Sequence, residues 1–434
     1  MKIKALLLLL SAGLPLASLA DNLLSVYRYA ELNDAQYTSA KALYEATQER
    51  IPQSTAALRP SIALSANTTW NKIDSTPGGN QSYNSNGYTV SLTQAIYRPQ
   101  SHIALDQTKT LVEQAKAQLE LARQDLLIRV NQAYFDVLLA QDTLATLNLQ
   151  QNAIEEQLAA TTKKLDIGTS TITDIRDAKA RFDLVSAQVI AAQHDLVSKR
   201  QALRVIINKE PGTLAPLQPN VKISAPMPND MEEWAKAAET SGMAVVAGQA
   251  SLDIARQEVR KARAAHYPTV DLTASHGNSK SGTTTTIGTD LDTNTIGIQF
   301  SLPIYSGGGV VSHEKEVTSL LNKAQADLDH TRRTNALAAR QAFLSFSSGL
   351  AQANALEEAL NSARTALDSN KRGLEVGVRV DIDVLNAQQQ VSATERDLAK
   401  AKYDALMALL RLKSVAQSLG ETDLKEINGL LQQE

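Results

Sequence analysis

The sequence predicts a mainly α-helical chain with a β-barrel contribution, organised as two structural repeats that each join two strands to a long helical hairpin. Three observations carry this: landmarks that recur at a fixed offset, four segments of period-two alternation, and very long helix-forming runs. Arg59-Pro60-Ser61-Ile62-Ala63-Leu64 recurs as Tyr267-Pro268-Thr269-Val270-Asp271-Leu272, and Ala95-Ile96-Tyr97 as Pro303-Ile304-Tyr305. Gln132-Ala133-Tyr134 recurs as Gln341-Ala342-Phe343, Leu165-Asp166-Ile167-Gly168 as Leu374-Glu375-Val376-Gly377, and Asp174 falls opposite Asp383. All these pairs lie 208 or 209 positions apart. A constant offset across such landmarks marks a duplication, and the period is too long for a solenoid.

Taken in order, Met1-Lys2-Ile3-Lys4 is basic, an apolar run follows from Ala5 to Leu10, and Ser18-Leu19-Ala20 places small residues before Asp21. This layout predicts a cleavable secretory signal over residues 1–20, since the apolar run is too short to span a bilayer. The chain has no Cys, so neither a lipidated N-terminus, a disulfide nor a thiolate metal site is available.

The first repeat, residues 21–210, opens on a helix and then alternates. Pro60, Ile62, Leu64, Ala66 and Trp70 share one parity, Ser61, Ser65, Asn67 and Thr69 the other, and Tyr88, Val90, Leu92 and Ile96 make a second apolar set. Strands with one apolar face are expected at about 58–71 and 87–98. The polar stretch Asp74 to Gly87 between them reads as a surface loop. From Ser101 to Glu210 there is no Pro, Gly168 is the only Gly, and good helix formers dominate. Leu119, Leu126, Val130, Ala133, Val137 and Ala140 recur at three or four, the stripe of a helix packed on another. Helices are expected at about 100–165 and 172–208, the first roughly 95 Å long, with a turn at Gly168.

A linker and equatorial segment follows at 211–245, irregular from Pro211 to Pro228 and then a short amphipathic helix anchored by Trp234. The second repeat, 246–415, has strands expected at about 267–276 and 294–305, with Gly277 to Asn294 as a loop. Its helices are expected at about 309–374 and 381–415, with a turn at Gly377. Ser306-Gly307-Gly308-Gly309 reads as a strand-to-helix hinge, and 416–434 as a C-terminal equatorial segment. Tyr97, Tyr267 and Tyr305 sit at strand ends, as an interfacial aromatic belt requires.

Several function classes fall away. A formal net charge of −3 gives no support for nucleic-acid binding. The six His are scattered without ligand spacing, and no nucleophile elbow or phosphate loop is present. The chain therefore reads as not an enzyme, with no catalytic residue, cofactor or metal expected. After the signal no stretch approaches the roughly 18 apolar residues of a transmembrane helix, so a membrane span must use strands. Four strands cannot close a barrel, and open strand edges cannot face lipid. A membrane barrel must then be shared among subunits, whether two, three or four. A secreted coiled-coil structural protein or adhesin would account for the helices but not for the strands.

Asn22-Leu23-Leu24-Ser25-Val26-Tyr27, Pro268-Thr269-Val270-Asp271-Leu272-Thr273-Ala274-Ser275, Phe300-Ser301-Leu302-Pro303-Ile304-Tyr305-Ser306-Gly307-Gly308, Val376-Gly377-Val378-Arg379 and Asp383-Val384-Leu385-Asn386-Ala387 together resemble the TolC family of outer-membrane efflux ducts. The likeness covers essentially the whole mature chain. It implies a homotrimer sharing a twelve-strand barrel in outer-membrane lipid, and an α-helical tunnel across the periplasm. It also implies docking to a periplasmic adaptor protein and to an inner-membrane pump or ABC transporter, in efflux or type I secretion.

The same resemblance implies sites. Arg379 would hold a closed tip through Asp174 and Thr173, a task suited to the planar guanidinium fork. The family latch also uses a Tyr where this chain has Leu374, and a second family network would fall on Lys402, Ala160 and Lys371, which cannot form it. Asp383 would face the pore axis in a ring of carboxylates favouring cations. The family's second acid is replaced by Asn386, whose repeat partner Asp177 restores an acid in the other unit. Gly168 and Gly377 mark turns that resemble the grooves receiving adaptor tips, where Gly permits close backbone approach. These departures predict a gate held differently, and less tightly, than the family pattern.

Overall fold

The computed structural model describes residues 21–76, 79–167, 169–218, 221–282 and 288–432; the expected signal at 1–20 lies outside them. Three helices, α1 (Leu23–Asn33), α2 (Ala35–Gln48) and α3 (Arg50–Ala56), precede strands β1 (Ser61–Ser75) and β2 (Gly79–Tyr97). A long hairpin follows, α4 (Pro99–Asp166) and α5 (Ile172–Ile207). After a stretch of irregular chain come α6 (Met231–Ser241), α7 (Met243–Arg263), β3 (Thr269–Ser281) and β4 (Thr289–Ser301). The second hairpin is α8 (Gly309–Glu375) and α9 (Asp381–Val415), and α10 (Glu421–Gly429) closes the order. The chain divides into two compact units: Met1–Thr38 with Ala122–Lys236 and Leu337–Glu434, and Ser39–Leu121 with Ala237–Ala336.

The second of these units holds the sheet. Its four strands lie in chain order, β1-β2-β3-β4, each antiparallel to its neighbour. Leu64 pairs with Val90, Val90 with His276, and His276 with Asn294, so one parity of every strand shares a face. That face carries Ile62, Leu64, Ile296, Ile298 and Phe300, each more than 60% exposed, and Trp70 at 81%. In water such a face is costly, at about 25 cal/mol per Å² of apolar surface. At the end of the sheet, where the β2–β3 register shifts between Ala95 and Tyr97, Arg98 makes a two-pronged bond to Asp271 (2.8 and 2.7 Å). Asp271 is itself buried.

The strands depart from the expected bounds in two ways. β1 continues to Ser75 and β2 starts at Gly79, while β3 and β4 reach Ser281 and Thr289, so most of the expected loops is ladder. Both parities are polar there, so hydropathy stops alternating while backbone pairing continues. In contrast, β4 ends at Ser301, leaving Ile304 and Tyr305 outside it and exposed. Pro303 has no N–H for a ladder, and Gly307 and Gly308 take φ of +62° and +82° to turn the chain into α8.

The other unit has the larger core. Leu23, Val26 and Tyr27 of α1 pack with Leu126, Leu127, Val130 and Tyr134 of α4, Leu203 and Ile207 of α5, Leu406 and Leu410 of α9, and Leu424 of α10. Each such side chain contributes about 1.5–3 kcal/mol on burial. The Tyr134 hydroxyl donates to the Ala215 carbonyl at 2.9 Å, tying the irregular segment to α4. Arg129 grips Asp34 with both terminal nitrogens (2.9 and 3.0 Å) and holds its carboxyl below the ordinary range. The segment after α5 is held by two isolated bridges, from Leu214 to Asp21 and from Leu217 to Leu431. Trp234 is buried, its indole N–H donating to the Pro228 carbonyl at 2.6 Å.

Candidate gate at the hairpin tips

The two hairpin tips share one backbone bond among the described residues. At the second tip Val378 N–H donates to Gly373 O (2.9 Å) and Gly377 N–H to Leu374 O (3.1 Å), the paired bonds of a Schellman helix end. Gly377 occupies its left-handed position at φ +77°. At the first tip Thr169 N–H makes the corresponding bond to Lys164 O at 2.8 Å. Gly168, named as a docking residue from sequence, lies outside the described residues.

The helices that leave the turns start differently. Thr171 caps α5: its hydroxyl accepts from Asp174 N–H (3.2 Å), while its own N–H donates to Asp174 Oδ2 (2.8 Å). The Thr171 and Ser170 hydroxyls donate to the same oxygen at 2.8 and 3.0 Å. The Thr171 backbone bond first, then the two hydroxyls, hold the Asp174 carboxyl below its ordinary range. Val380, at the matching position of α9, has no side-chain oxygen; its N–H lies 3.4 Å from Asp383 Oδ2, and the Asp383 N–H donates to the Val380 carbonyl at 3.0 Å instead.

The residues expected to form a latch are distributed as follows. Thr173 is exposed on the first turn of α5. Asp174 has Oδ2 engaged by its own cap, and Arg379 lies 3.7 Å from Asp383, both partly exposed. The Arg379 stem lies over Gly373, where a built Cβ would come within 2.6 Å of its Cγ. Asp174, Asp177 and Arg379 line one cavity of about 480 Å³ together with Lys164 and Asp381. Asp177 also lines a second cavity of about 380 Å³ beside Arg181 and Leu385. Asp383 belongs to neither lining.

Sequence reasoning missed the contacts that join the two hairpins here. Lys164 Nζ meets Asp381 Oδ2 at 2.6 Å, and Arg181 donates to the Asn386 side-chain carbonyl at 3.1 Å. A signal was available in the duplication: Asp381 falls opposite Ile172, so the repeats differ in charge at this point. Around the turns Ile167, Val376 and Val378 are more than 70% exposed. Among the described residues no His, Cys, Asp or Glu group could hold a metal, and no helix is long and apolar enough to cross a membrane.

Comparison with known proteins bears directly on this architecture. The sequence matches the family described as outer membrane efflux protein twice, over residues 26–209 and 234–417, an offset of 208 that reproduces the internal repeat. It is 30% identical to outer membrane protein TolC of Vibrio cholerae serotype O1, covering 94% of this chain and 93% of that one. It is 32% identical to outer membrane protein TolC of Escherichia coli K12 (97% and 87% covered). The alkaline protease secretion protein AprF of Pseudomonas aeruginosa is also 32% identical (94% and 86%). The fold is similar to the crystal structure of the Campylobacter jejuni CmeC outer membrane channel, with a TM-score of 0.80 at 18% identity over 95% and 90% of the chains. It is likewise similar to the outer membrane protein VceC of Vibrio cholerae, with a TM-score of 0.76 at 19% identity over 91% and 95%. Relatives and family description agree on an outer-membrane location and on efflux or secretion as the task, and the chain belongs to the outer membrane efflux protein family.

Proposed function

We propose that the chain is the exit-duct subunit of a tripartite efflux pump or type I secretion system, a passive conduit whose opening is controlled at the hairpin tips. The observation that carries this reading is the sheet. Its four strands leave β1 and β4 as edges, and its apolar parity is exposed rather than packed on a core. Lipid removes the penalty on that face, and pairing of edges between copies removes the penalty on unpaired backbone. Three copies supply twelve strands, a homotrimeric barrel in the outer-membrane lipid.

In this duct, Thr173, Asp174 and Arg379 contribute to the closed tip, and Asp383 and Asp177 to a cation-favouring constriction. The turns at Gly168 and Gly377, with their exposed apolar neighbours, receive a periplasmic adaptor protein that links the duct to an inner-membrane pump or ABC transporter. The pump chooses the cargo. Detergent-extracted outer membranes test the core of the reading. The chain should migrate as a trimer that dissociates on heating, and release as a soluble monomer would reject it.

A further inference from the structure

The two faces of the sheet carry charge differently. The parity that holds Leu64, Val90 and Ile296 also holds Lys72 and Asp74 near the β1–β2 turn, and Lys280, Asp290 and Asp292 near the β3–β4 turn. On the opposite parity Asp271 is the one charged residue among the described ladder positions. Most of that face is Ser, Thr, Asn, Gln or Gly, and hydroxyls on it bond across the strands. Ser65 donates to Thr89 O (3.4 Å), Thr273 to Gly297 O (3.4 Å), and Ser85 meets Ser281 (3.2 Å). Gly87 and Gly277 stand on the same face, where a built Cβ would come within 2.7 Å of Asn278 O and Tyr88 O on the neighbouring strand. Glycine at such points lets a sheet bend toward the face from which the side chain is missing.

The single charge on this face does not stand alone. Arg98, between the end of β2 and the start of α4, bonds both oxygens of Asp271 at 2.8 and 2.7 Å, the two side chains being 44% and 11% exposed. A guanidinium fork covers both carboxylate oxygens at once, which the single ammonium of a Lys does not. The duplication supplies a comparison: the counterparts 208 positions away are Ser306 and Ala63, so the other repeat carries neither charge. Charge occurs on this face only as a closed pair.

We propose that Arg98 is a specificity-determining residue of the duct: by closing on Asp271 it leaves the inner face of the barrel without a free charge, so that the wide end passes cargo without sorting it by charge. The inference rests on the reading above, in which the apolar parity meets lipid and the polar parity lines the passage. Without this guanidinium each copy would present a bare carboxylate to the lumen. Rings of carboxylates favour cations, and rings of cationic side chains favour anions. Charge sorting is left to the acidic constriction at the hairpin tips.

The test is the reversal potential of purified protein in planar bilayers under a KCl gradient. The dilute side holds about 0.01 M salt, where a charge is felt over about 30 Å. All variants carry Arg379→Ala, which the gate reading expects to open the tip, so that the tip does not mask the barrel. Arg98→Gln should raise the potassium-to-chloride permeability ratio by about twofold or more, and Asp271→Asn should lower it by a similar factor. Arg98→Gln combined with Asp271→Asn should restore the starting ratio. An ion pair that only fastens β2 to β3 would lower the heat resistance of both single variants and leave the ratio unmoved, which overturns the inference. Shifts of equal sign overturn it too. Ser275→Asp, a bare carboxylate further along the same face of β3, is the control. A rise there without one in Arg98→Gln sinks the inference and leaves the duct standing. No rise even there means that this face lines no passage, and the barrel reading fails with it. If Arg98→Gln does not assemble, Asp271→Asn decides alone, by a shift toward anions or by none. If Arg379→Ala alone raises no conductance, the gate reading fails, and the inference loses the constriction to which it leaves the sorting.

Discussion

The two hairpin tips share a backbone and differ in what holds it. Both turn with a bond from the residue after the glycine position to the carbonyl five residues earlier, Thr169 to Lys164 and Val378 to Gly373. The first tip then closes on itself, because Thr171, Ser170 and Asp174 satisfy one another. The second has Val380 where the first has Thr171, so the Asp383 carboxylate is held by a single long backbone contact and lies 3.7 Å from Arg379. Duplication has kept the turn, which depends on backbone geometry, and let the side chains diverge. One tip became a self-contained cap, and the other sets Asp383 beside Arg379 instead.

The largest expected effect that would break this comparison comes from the glycine. Gly377→Val places a β-branched residue at φ +77°, with no neighbouring atom within 4 Å of its Cβ, so the penalty is purely backbone and at least about 1–2 kcal/mol. Amide exchange at Val378 and Arg379, which both donate to Gly373 O, should quicken about tenfold, while the first tip is unchanged. Gly377→Asn should be far milder, since Asn tolerates the left-handed region. A smaller and more pointed test exchanges the caps. Thr171→Val should destabilise the start of α5 by about 1 kcal/mol, and Val380→Thr should stabilise the start of α9 by somewhat less than about 1 kcal/mol. Equal exchange rates at both helix starts in the parent protein would contradict the asymmetry.

The smallest effect is that of pH. The Asp174 carboxyl is held below its ordinary range by the bonds of the cap. Its contribution is therefore complete above the ordinary carboxylate value and is lost as pH falls through the depressed one. Exchange at Ile175, whose N–H donates to Thr171 O, should accelerate on acidification in the parent and much less in Thr171→Val.

Much of this was legible before any coordinates. The repeat, the hairpin turns and the apolar parities of the strands are local patterns, and local patterns survive in sequence. Strand ends were hidden where both faces are polar, as from Asn80 to Gly87, because ladder bonds form without regard to hydropathy. At the site, the Thr171-x-x-Asp174 spacing is a readable cap signature. From the family resemblance Asp174 is expected to face Arg379; the fold commits one of its oxygens to that cap. For the Lys164–Asp381 pair only the unmatched charge at Asp381 was legible; its partner depends on how α4 and α9 register over 217 residues of intervening chain.

The strand count has a consequence of its own. With β1 to β4 in chain order and every neighbour antiparallel, the first and last strands run in opposite directions. In the proposed shared barrel, β4 of one copy against β1 of another gives an antiparallel seam, with the same bond pattern as every pairing inside the copy. An odd number of strands would force a parallel fault at each seam. Evenness makes this sheet a tile that can be laid beside itself indefinitely, and only curvature decides how many tiles complete the circle.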